Sequence, residues 1–329
     1  MIFLISRSSV SNLISPGYSD CINMVQVSVI IINFNSSRFT AAYIKSFKEH
    51  TASDLTYKII VVDNSSKIED YEQLVQSCAN IAGVRVIRSI VNLGFSGGNM
   101  LGLQAATGEY LYFINNDCEV LNDNLSILYQ FMQTNPHEGI CTGQMHDGDL
   151  NLHPAFGYFP TLSLRLFGSD LLWLFPYPEK FTDKEKVYQQ PVAVPLVTGA
   201  AMFIDREKFA AISGFDTNYF LYCEEEDVCL RMRKKQYEVY LVPAARFIHY
   251  MGKSTTRNFP IELENYISLL YYHRKFHSYP AYLGLKLLYF FKNIRKVCRH
   301  RLYGKLAFYI LLGAPQKYSL KHKQKLRFV

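Results

Sequence analysis

The chain has 329 residues, of which 49% are hydrophobic, and it carries 35 Lys and Arg against 28 Asp and Glu. This length suits one large domain or two ordinary ones, and this apolar content is sufficient for a real core. Seven cysteines without a Cys-x-x-Cys spacing argue against a disulfide framework or a structural zinc site, and they favour a reducing compartment.

The charge is unevenly distributed along the chain. Residues 274–329 contain 14 Lys and Arg and no Asp or Glu, whereas the preceding part is net acidic. An acidic body with a basic tail suggests that the tail meets an anionic surface, either membrane phospholipid or nucleic acid. No run of 18 uncharged apolar residues is present, so the sequence predicts no membrane-spanning helix.

Residues 1–23 resemble a signal peptide only weakly, because they contain one Arg and a short apolar start. Met24 directly precedes the first strand-like run. We therefore expect residues 1–24 to form an N-terminal extension, with Met24 as the natural start and residues 1–23 disordered or non-native.

Strand-like and helix-like segments alternate from there on. The segments are strands at 27–32, 57–62 and 84–87 and helices at 39–50 and 68–79. Their continuous apolar runs are typical of strands buried on both faces, and the alternation predicts a doubly wound α/β sheet. Ligands bind beyond the carboxyl ends of such strands, which places Phe34, Asp63 and Asn64 at one edge.

A glycine-rich turn follows from Asn92 to Gly102 and feeds a helix that runs to about Ala106. It matches neither the dinucleotide fingerprint nor a P-loop. Such a turn can approach a phosphate or a ribose closely, but a tight turn without a ligand is its commoner role.

The next strand-like run ends in Asn115-Asn116-Asp117. A carboxylate beyond the end of a strand is well placed to hold a hard divalent cation against a diphosphate. The alternative is a turn, which these residue types commonly form.

The second half of the chain is less regular. Predicted elements are a helix at 122–135, a strand at 195–205, a short helix at 208–212, a helix after the acidic run to about Gln236 and a last strand at 239–242. Residues 144–192 are irregular and rich in aromatic side chains, and they give no assignment.

Four consecutive carboxylates, Glu224, Glu225, Glu226 and Asp227, precede the helix that ends near Gln236. Packing them together is unfavourable unless a cation is near or one of them holds a proton. A helix N-terminus explains one or two of these acids more easily than four. A carboxylate with a raised pKa would suit general base catalysis.

Eight short motifs stand in order between residues 25 and 256. They are Val29-Ile30-Ile31-Ile32-Asn33-Phe34-Asn35, Val61-Val62-Asp63-Asn64-Ser65-Ser66, the glycine-rich stretch Asn92–Asn99, Asn115-Asn116-Asp117, Gly199-Ala200, Gly214-Phe215-Asp216, the acidic and basic run Glu224–Arg233, and His249-x-x-Gly252-x-Ser254. Together they resemble a family 2 glycosyltransferase with the GT-A fold, of the bacterial rhamnosyltransferase-like branch.

The resemblance implies nucleotide-binding roles for residues of the first half. Phe34 and Asp63 would recognise the base, with Asp63 accepting a hydrogen bond from a pyrimidine N–H. The loop residues would line the ribose and the diphosphate; these are Asn92, Gly97, Gly98 and Asn99.

The same resemblance implies roles for residues of the second half. Asp117 and His249 would bind Mg²⁺ or Mn²⁺, whereas a lone histidine is otherwise most often an ordinary loop residue. Glu225 would be the general base, with Asp227 as a second catalytic acid on the acceptor side. Gly199 and Glu224 would also lie on the acceptor side.

Three positions depart from the family pattern. Asn115 replaces the first acid of the metal motif, so fewer charges would hold the metal. Glu225 stands where Asp is usual, which lengthens its reach by one methylene, and Gln236 replaces a glycine after the basic helix.

The resemblance implies a glycosyltransferase domain at 25–260 and a helical, basic and aromatic extension at 261–329. The activity would be inverting transfer of a sugar from a nucleotide-diphosphate donor, either dTDP-rhamnose or a UDP-sugar, to a saccharide or lipid-linked saccharide. The expected location is cytoplasmic, at the inner face of the cell membrane.

Several alternatives remain open. The extension could dock on an anionic membrane or could simply pack on the catalytic domain, and nucleic acid is a less favoured partner because no nucleic-acid motif accompanies the charge. The protein could also be a nucleotidyltransferase of related fold or a catalytically degenerate scaffold of polysaccharide assembly.

Overall fold

The structure is a computed structural model that describes residues 25–52, 54–168, 182–184, 186–250 and 258–326. The predicted N-terminal extension lies outside these residues, as do Gly252 and Ser254 of the last motif and Trp173 of the aromatic-rich segment. All the candidate site residues fall on described parts of the chain.

Twelve strands form two sheets within the described ranges. The strands are β1 (Val27–Asn33), β2 (Tyr57–Asp63), β3 (Val84–Arg88), β4 (Tyr110–Asn115), β5 (Cys118–Val120), β6 (Glu138–His146), β7 (Leu152–His153), β8 (Phe156–Gly157), β9 (Val192–Ala193), β10 (Leu196–Val197), β11 (Ala201–Asp205) and β12 (Glu238–His249). The large sheet has the order β3-β2-β1-β4-β11-β6-β12-β5, with β7 beside β6 and β9 beside β12. Strands β8 and β10 form the small sheet.

Ten α-helices accompany the strands in the same ranges. They are α1 (Ser37–His50), α2 (Ile68–Cys78), α3 (Gly94–Leu103), α4 (Asn124–Thr134), α5 (Leu162–Phe167), α6 (Arg206–Ala211), α7 (Glu224–Lys234), α8 (Phe259–Phe276), α9 (Tyr279–Ile294) and α10 (Leu302–Leu311). Two 3₁₀ helices follow at Gln316–Tyr318 and Leu320–Lys323.

The pairing of the strands decides where the site lies. Strand β1 pairs in parallel with β2 and β4, whereas β11 is antiparallel to β4 and β6, so the sheet is mixed. The parallel strands end at one edge, where Phe34, Asn64 and Asn116 follow β1, β2 and β4. This arrangement confirms the predicted doubly wound α/β sheet, and it gathers polar turns where such sheets bind ligands.

Several strands differ from the sequence prediction. The short strands β5, β7, β8 and β9 were not predicted, and the strand predicted at 195–205 is divided into β10 and β11, which lie in different sheets. Strand β6 was not predicted, because its run contains two glycines and little β-branched character, and only its central place in the sheet makes it a strand. Strand β12 extends beyond the predicted 239–242 segment to His249, with a register shift after Val242 that accommodates Pro243.

The apolar runs of the first strands form the core. Ile30, Ile31, Val61, Phe113 and Phe203 are completely buried. Burying such a side chain contributes about 1.5–3 kcal/mol relative to leaving it exposed, which explains why the polar turns, and not the strands, are free to carry function.

Helix α8 belongs to the same core as the sheet. Leu263, Ile267, Leu270 and Tyr272 on this helix are buried in one continuous cluster with the residues of the sheet. The beginning of the basic extension is therefore packed on the catalytic body, as one of the two alternatives predicted.

Candidate active site

An open cavity of about 420 Å³ lies at the carboxyl edge of the parallel strands. Its lining includes Phe34, Asn64, Asn92, Phe95 and Asp117. The cavity is therefore built from the turns that follow β1, β2 and β4 together with the glycine-rich loop, as the topology predicts.

Asp117 and His249 come together on this edge although they are far apart in the chain. Strand β12 pairs with β5 so that His249 faces Cys118 in the register, and the Tyr250 amide donates to the Asp117 carbonyl oxygen at 3.0 Å. The Nε2 atom of His249 lies 3.2 Å from Oδ1 of Asp117. The sheet thus joins the two residues predicted to bind a metal.

The donor atoms of this pair fit a divalent cation. Asp117 is almost completely buried, yet it lines the cavity, and the ligand atoms of Asp117, Cys118 and His249 all lie within 4.8 Å of one another. Burial raises the pKa of the Cys118 thiol well above its usual value, and a sulfur is a soft ligand, which a hard cation disfavours. A carboxylate oxygen and an imidazole nitrogen remain, a set that suits Mn²⁺ or Mg²⁺.

The glycine-rich loop is held in place by two asparagines. The Asn64 amide donates to Oδ1 of Asn92 at 3.0 Å and to the Gly94 carbonyl oxygen at 2.9 Å, and its own oxygen accepts from the Leu93 amide at 2.8 Å. Gly94 has a φ of +72°, and a Cβ there would lie 2.2 Å from the carbonyl oxygen of Phe220. This position therefore requires glycine, because both the backbone angle and the close approach exclude a side chain.

Three of the predicted nucleotide ligands lie inside α3. Gly97, Gly98 and Asn99 follow the first turn of this helix, and a Cβ on Gly98 would lie 3.0 Å from Ile32. Gly98 packs α3 against the sheet, and of the loop only Asn92, Gly94 and Phe95 contribute to the lining of the cavity. Their nucleotide-binding role stays a prediction.

Asp63 is fully buried at the end of β2. Its carboxylate lies 3.6 Å from the Arg88 guanidinium and accepts hydrogen bonds from the Asn33 amide at 3.1 Å and the Ser66 backbone at 3.3 Å. These contacts organise the turn after β1, and Phe34 on that turn lines the cavity with 39% of its surface exposed. Contact of Asp63 with a base stays a prediction.

The acidic cluster, Glu224, Glu225 and Glu226, begins α7 after an unusual turn. Tyr222 and Cys223 both adopt left-handed backbone angles, with φ of 75° and 65°. A non-glycine residue in this region costs about 1–3 kcal/mol, and such strain concentrates at functional sites. The turn points the start of the helix, whose N–H groups favour negative charge, toward Gly199.

The three glutamates differ in how strongly they hold protons. Burial, followed by the charge of Glu225, raises the pKa of Glu224 and of Glu226 well above the usual value. Burial also raises the pKa of Glu225, but backbone N–H groups and a hydrogen bond with Glu226 oppose the rise. The pKa of Glu225 is therefore raised less than those of its two neighbours, and the three carboxyls titrate as one coupled group.

Gly199 and Ala200 connect the acidic cluster with the metal pair. A Cβ on Gly199 would lie 3.6 Å from the ring of Phe95 and 3.7 Å from the carboxyl carbon of Glu225. The carbonyl oxygen of Ala200 accepts hydrogen bonds from the Asn115 amide at 2.9 Å and from the Cys118 thiol at 3.6 Å. The absence of a side chain at Gly199 thus leaves room between Glu225 and the cavity wall.

Asp227 has a different environment from the glutamates. It is fully buried and forms ion pairs with Arg231 and, at 2.5 Å, with Lys275, while Tyr219 donates to it at 3.2 Å. Lys275 also lies 2.6 Å from Asp216. These contacts tie α7 to α8, and the acceptor-side role of Asp227 stays a prediction.

A family model described as glycosyl transferase family 2 matches residues 28–212, more than half of the chain. The chain belongs to this family. The matched range contains the turns after β1, β2 and β4 and ends before the acidic cluster, and the enzyme is a glycosyltransferase by its family.

This glycosyltransferase is 30% identical to the rhamnosyltransferase WbbL of Escherichia coli over 219 residues, which are 63% of this chain and 78% of that protein. It is 22% identical to an N-acetylglucosaminyl-diphospho-decaprenol L-rhamnosyltransferase of Mycobacterium tuberculosis, covering 63% of this chain and 71% of that protein. These relatives confirm the predicted rhamnosyltransferase-like family.

The fold of the glycosyltransferase is similar to that of a solved mannosyltransferase, PcManGT from Pyrobaculum calidifontis, determined with GDP-Man and Mn²⁺. The TM-score is 0.54 at 12% identity, and the match covers 89% of this chain and 81% of that chain. The similarity confirms the predicted GT-A fold.

Some residues of the site were not predicted from the sequence. Glu226 was only one of four acids, and its hydrogen bond with Glu225 depends on the turn at Tyr222 and Cys223. Leu320 and Gln324 line the cavity from near the end of the described chain, and no sequence motif marks them.

Proposed function

We propose that this glycosyltransferase transfers a sugar, with inversion, from a nucleotide-diphosphate donor to a saccharide or lipid-linked saccharide in the synthesis of a cell-surface polysaccharide. The donor would be dTDP-rhamnose or a UDP-sugar. The observation that carries the proposal is Asp117, which lies on the wall of the cavity that Phe34, Asn64 and Asn92 also line and is paired with His249 at 3.2 Å.

The cavity can hold the donor in one orientation. The exposed ring of Phe34 offers a surface on which a base can stack, and the amides of Asn64 and Asn92 lie near it on the same cavity wall. Asp117 and His249 would hold Mg²⁺ or Mn²⁺ against the diphosphate. When bound, the ion neutralises charge on the departing nucleoside diphosphate.

Glu225 would accept the proton of an acceptor hydroxyl. Its carboxyl group lies beside Gly199, where no side chain blocks an approaching sugar, and Glu226, whose pKa burial raises further, would hold the proton that the pair shares. General base catalysis contributes about 10²–10⁴-fold to such a step. Attack by the hydroxyl on the anomeric carbon in a single displacement inverts that carbon.

The proposal is tested by donor binding and turnover with and without Mn²⁺. A thermal-shift screen of nucleotide-sugars identifies the donor, and calorimetry then compares the wild type with Asp117→Ala and His249→Ala. We expect Mn²⁺ to strengthen donor binding to the wild type and each variant to lose that gain. Equal affinity with and without Mn²⁺ would contradict the metal assignment.

The same preparation separates the proposed enzyme from its alternatives. A catalytically degenerate scaffold would neither transfer nor hydrolyse the donor sugar. A nucleotidyltransferase would release inorganic diphosphate from a nucleoside triphosphate and a sugar phosphate, which this glycosyltransferase would not do.

The basic extension exposes apolar and cationic side chains that would suit contact with the anionic inner face of the cell membrane. Leu287, Phe291 and Ile294 are exposed on α9 at helical spacing, and Phe308 and Leu311 are exposed on α10. Exposed cations accompany them, namely Lys292, Arg295, Lys296, Arg299, Arg301 and Lys305. No helix within the described ranges is both long and apolar enough to cross a bilayer. The proposed contact is therefore with the surface of the membrane.

Flotation with vesicles tests the membrane contact. We expect the wild type to float with vesicles that contain anionic phospholipid and to remain behind with neutral ones, and Phe291→Ser with Phe308→Ser to abolish flotation. If the wild type fails to float with anionic vesicles, the extension only packs on the catalytic body.

A further inference from the structure

The described chain returns to the donor cavity near its C-terminal end. Residues 316–324, here called the strap, comprise the two 3₁₀ helices and Gln324. Leu320 and Gln324 of the strap line the same cavity as Phe34, Asn64 and Asp117. They lie well beyond the family match, which ends at residue 212.

A buried carboxylate on α8 holds the strap. Both oxygens of Glu264 accept hydrogen bonds from it, one from the Ser319 hydroxyl and one from the Leu320 amide, each at 2.7 Å. Glu264 and Ser319 are almost completely buried. Because both oxygens of this buried carboxyl group are used in the contact, the anchor fixes the position of Leu320.

Further contacts set the orientation of the strap. Lys321 donates to the Thr217 carbonyl oxygen at 2.7 Å, and the Tyr318 ring lies edge-on to that of Tyr309 on α10. The Gln324 side-chain amide donates to the Leu320 carbonyl oxygen at 2.8 Å. The amide of Gln324 is therefore held in a defined position at the cavity.

We propose that the strap forms part of the donor site, with Gln324 in contact with the nucleotide and Glu264 as the positioning residue. This inference rests on the proposed function, since it needs a nucleotide donor in the cavity. An amide can both donate to and accept from the polar groups of a base or ribose. Phe34, Asn64 and Asn92 supply the rest of the wall around it, so the nucleotide would be enclosed by the two ends of the described chain.

Calorimetric titration with UDP and with dTDP, each in the presence of Mn²⁺, tests the contact. We expect Gln324→Ala to weaken the preferred nucleotide about 5- to 10-fold, as the loss of one hydrogen bond implies. The donor KM should rise by the same factor while kcat changes little. Lys325→Gln is the matched control, because Lys325 is the exposed neighbour of Gln324 and is absent from the cavity lining, and it should bind as the wild type does.

A double-mutant cycle tests the positioning role of Glu264. Glu264→Gln offers only one acceptor oxygen to the strap, so we expect it to weaken nucleotide binding. In Glu264→Gln combined with Gln324→Ala the two losses should be less than additive, because both remove the same contact. Fully additive losses would overturn the positioning role.

The outcomes separate the two proposals. Nucleotide affinity of Gln324→Ala equal to that of the wild type, with an unchanged melting temperature, overturns the strap inference while the proposed function stands. A wild-type protein that binds neither nucleotide with Mn²⁺ removes the proposed function and this inference with it.

Discussion

The acidic cluster and Asp227 are neighbours at the start of α7, but they differ in whether cationic side chains pair with them. The acidic cluster, Glu224 to Glu226, forms no ion pair within the described residues, and burial raises the pKa of all three. Asp227, the next residue, is held between Arg231 and Lys275. The comparison indicates that the surroundings favour the protonated form in the acidic cluster, whereas at Asp227 they pair a charge that fixes the helix.

The largest expected effect comes from removing the base of the acidic cluster. Glu225→Gln keeps the shape of the side chain but cannot accept a proton, so turnover should fall about 10²–10⁴-fold while donor affinity is unchanged. Steady-state transfer assays and calorimetry measure the two quantities. Wild-type turnover in the purified variant would show that another group is the base.

Substitution of Asp227, the second region, is expected to lower the free energy of unfolding. Asp227→Asn leaves Arg231 and Lys275 without their shared carboxylate, and breaking a buried pair in this way costs about 3–5 kcal/mol of unfolding free energy. Urea denaturation measures it, with Asp216→Asn as the control, which removes only one contact of Lys275. Unchanged stability together with lost transfer would instead support the predicted acceptor-side role of Asp227.

A smaller effect on turnover is expected from substitutions of Glu226, the neighbour of Glu225 in the acidic cluster. Glu226→Gln retains an N–H that can donate to Glu225, whereas Glu226→Ala removes the donor. We expect the Gln variant to stay within a few-fold of wild-type turnover and the Ala variant to lose about tenfold, as one hydrogen bond implies. The pH–rate profiles should differ too, and equal losses in both variants would exclude this hydrogen bond from catalysis.

The smallest effect is a change in how stability depends on pH. Because burial raises the folded-state pKa of Glu224, the folded protein binds more protons than the unfolded chain above the usual glutamate pKa, and stability falls as pH rises. Glu224→Gln removes this contribution. Its stability relative to the wild type should therefore grow between pH 5 and 8. Thermal unfolding at both pH values measures it, and an identical dependence in both proteins would contradict the prediction.

The sequence was most informative where one local pattern predicts both an element of the fold and the position of the site. The continuous apolar runs before Asn33 and Asp63 predicted both the strands and the edge that carries the cavity. The pair of Asp117 and His249 was also predicted, but only through the resemblance, because two residues so far apart acquire a common position from the pairing of β12 with β5.

Other features depended on tertiary contacts that no local pattern encodes. In the sequence, Gly98 cannot be told apart from a glycine that approaches a phosphate. In the structure it lies where α3 packs closely on Ile32. The contact of Lys275 with Asp227 joins α8 to α7, and the composition of the extension indicated only its charge. Strand β6 is a strand because of its neighbours, so propensity alone could not predict it.

The position of β12 has a consequence for how the enzyme assembles during synthesis. This strand fills the gap between β6 and β5 and delivers His249 to Asp117, although it is made long after both of those strands. Such long-range pairing is slow to form and leaves unpaired edges exposed in the meantime. A nascent chain that has not yet reached β12 can complete its β1–β4 half, but the Asp117–His249 pair can form only when the final sheet pairing is made.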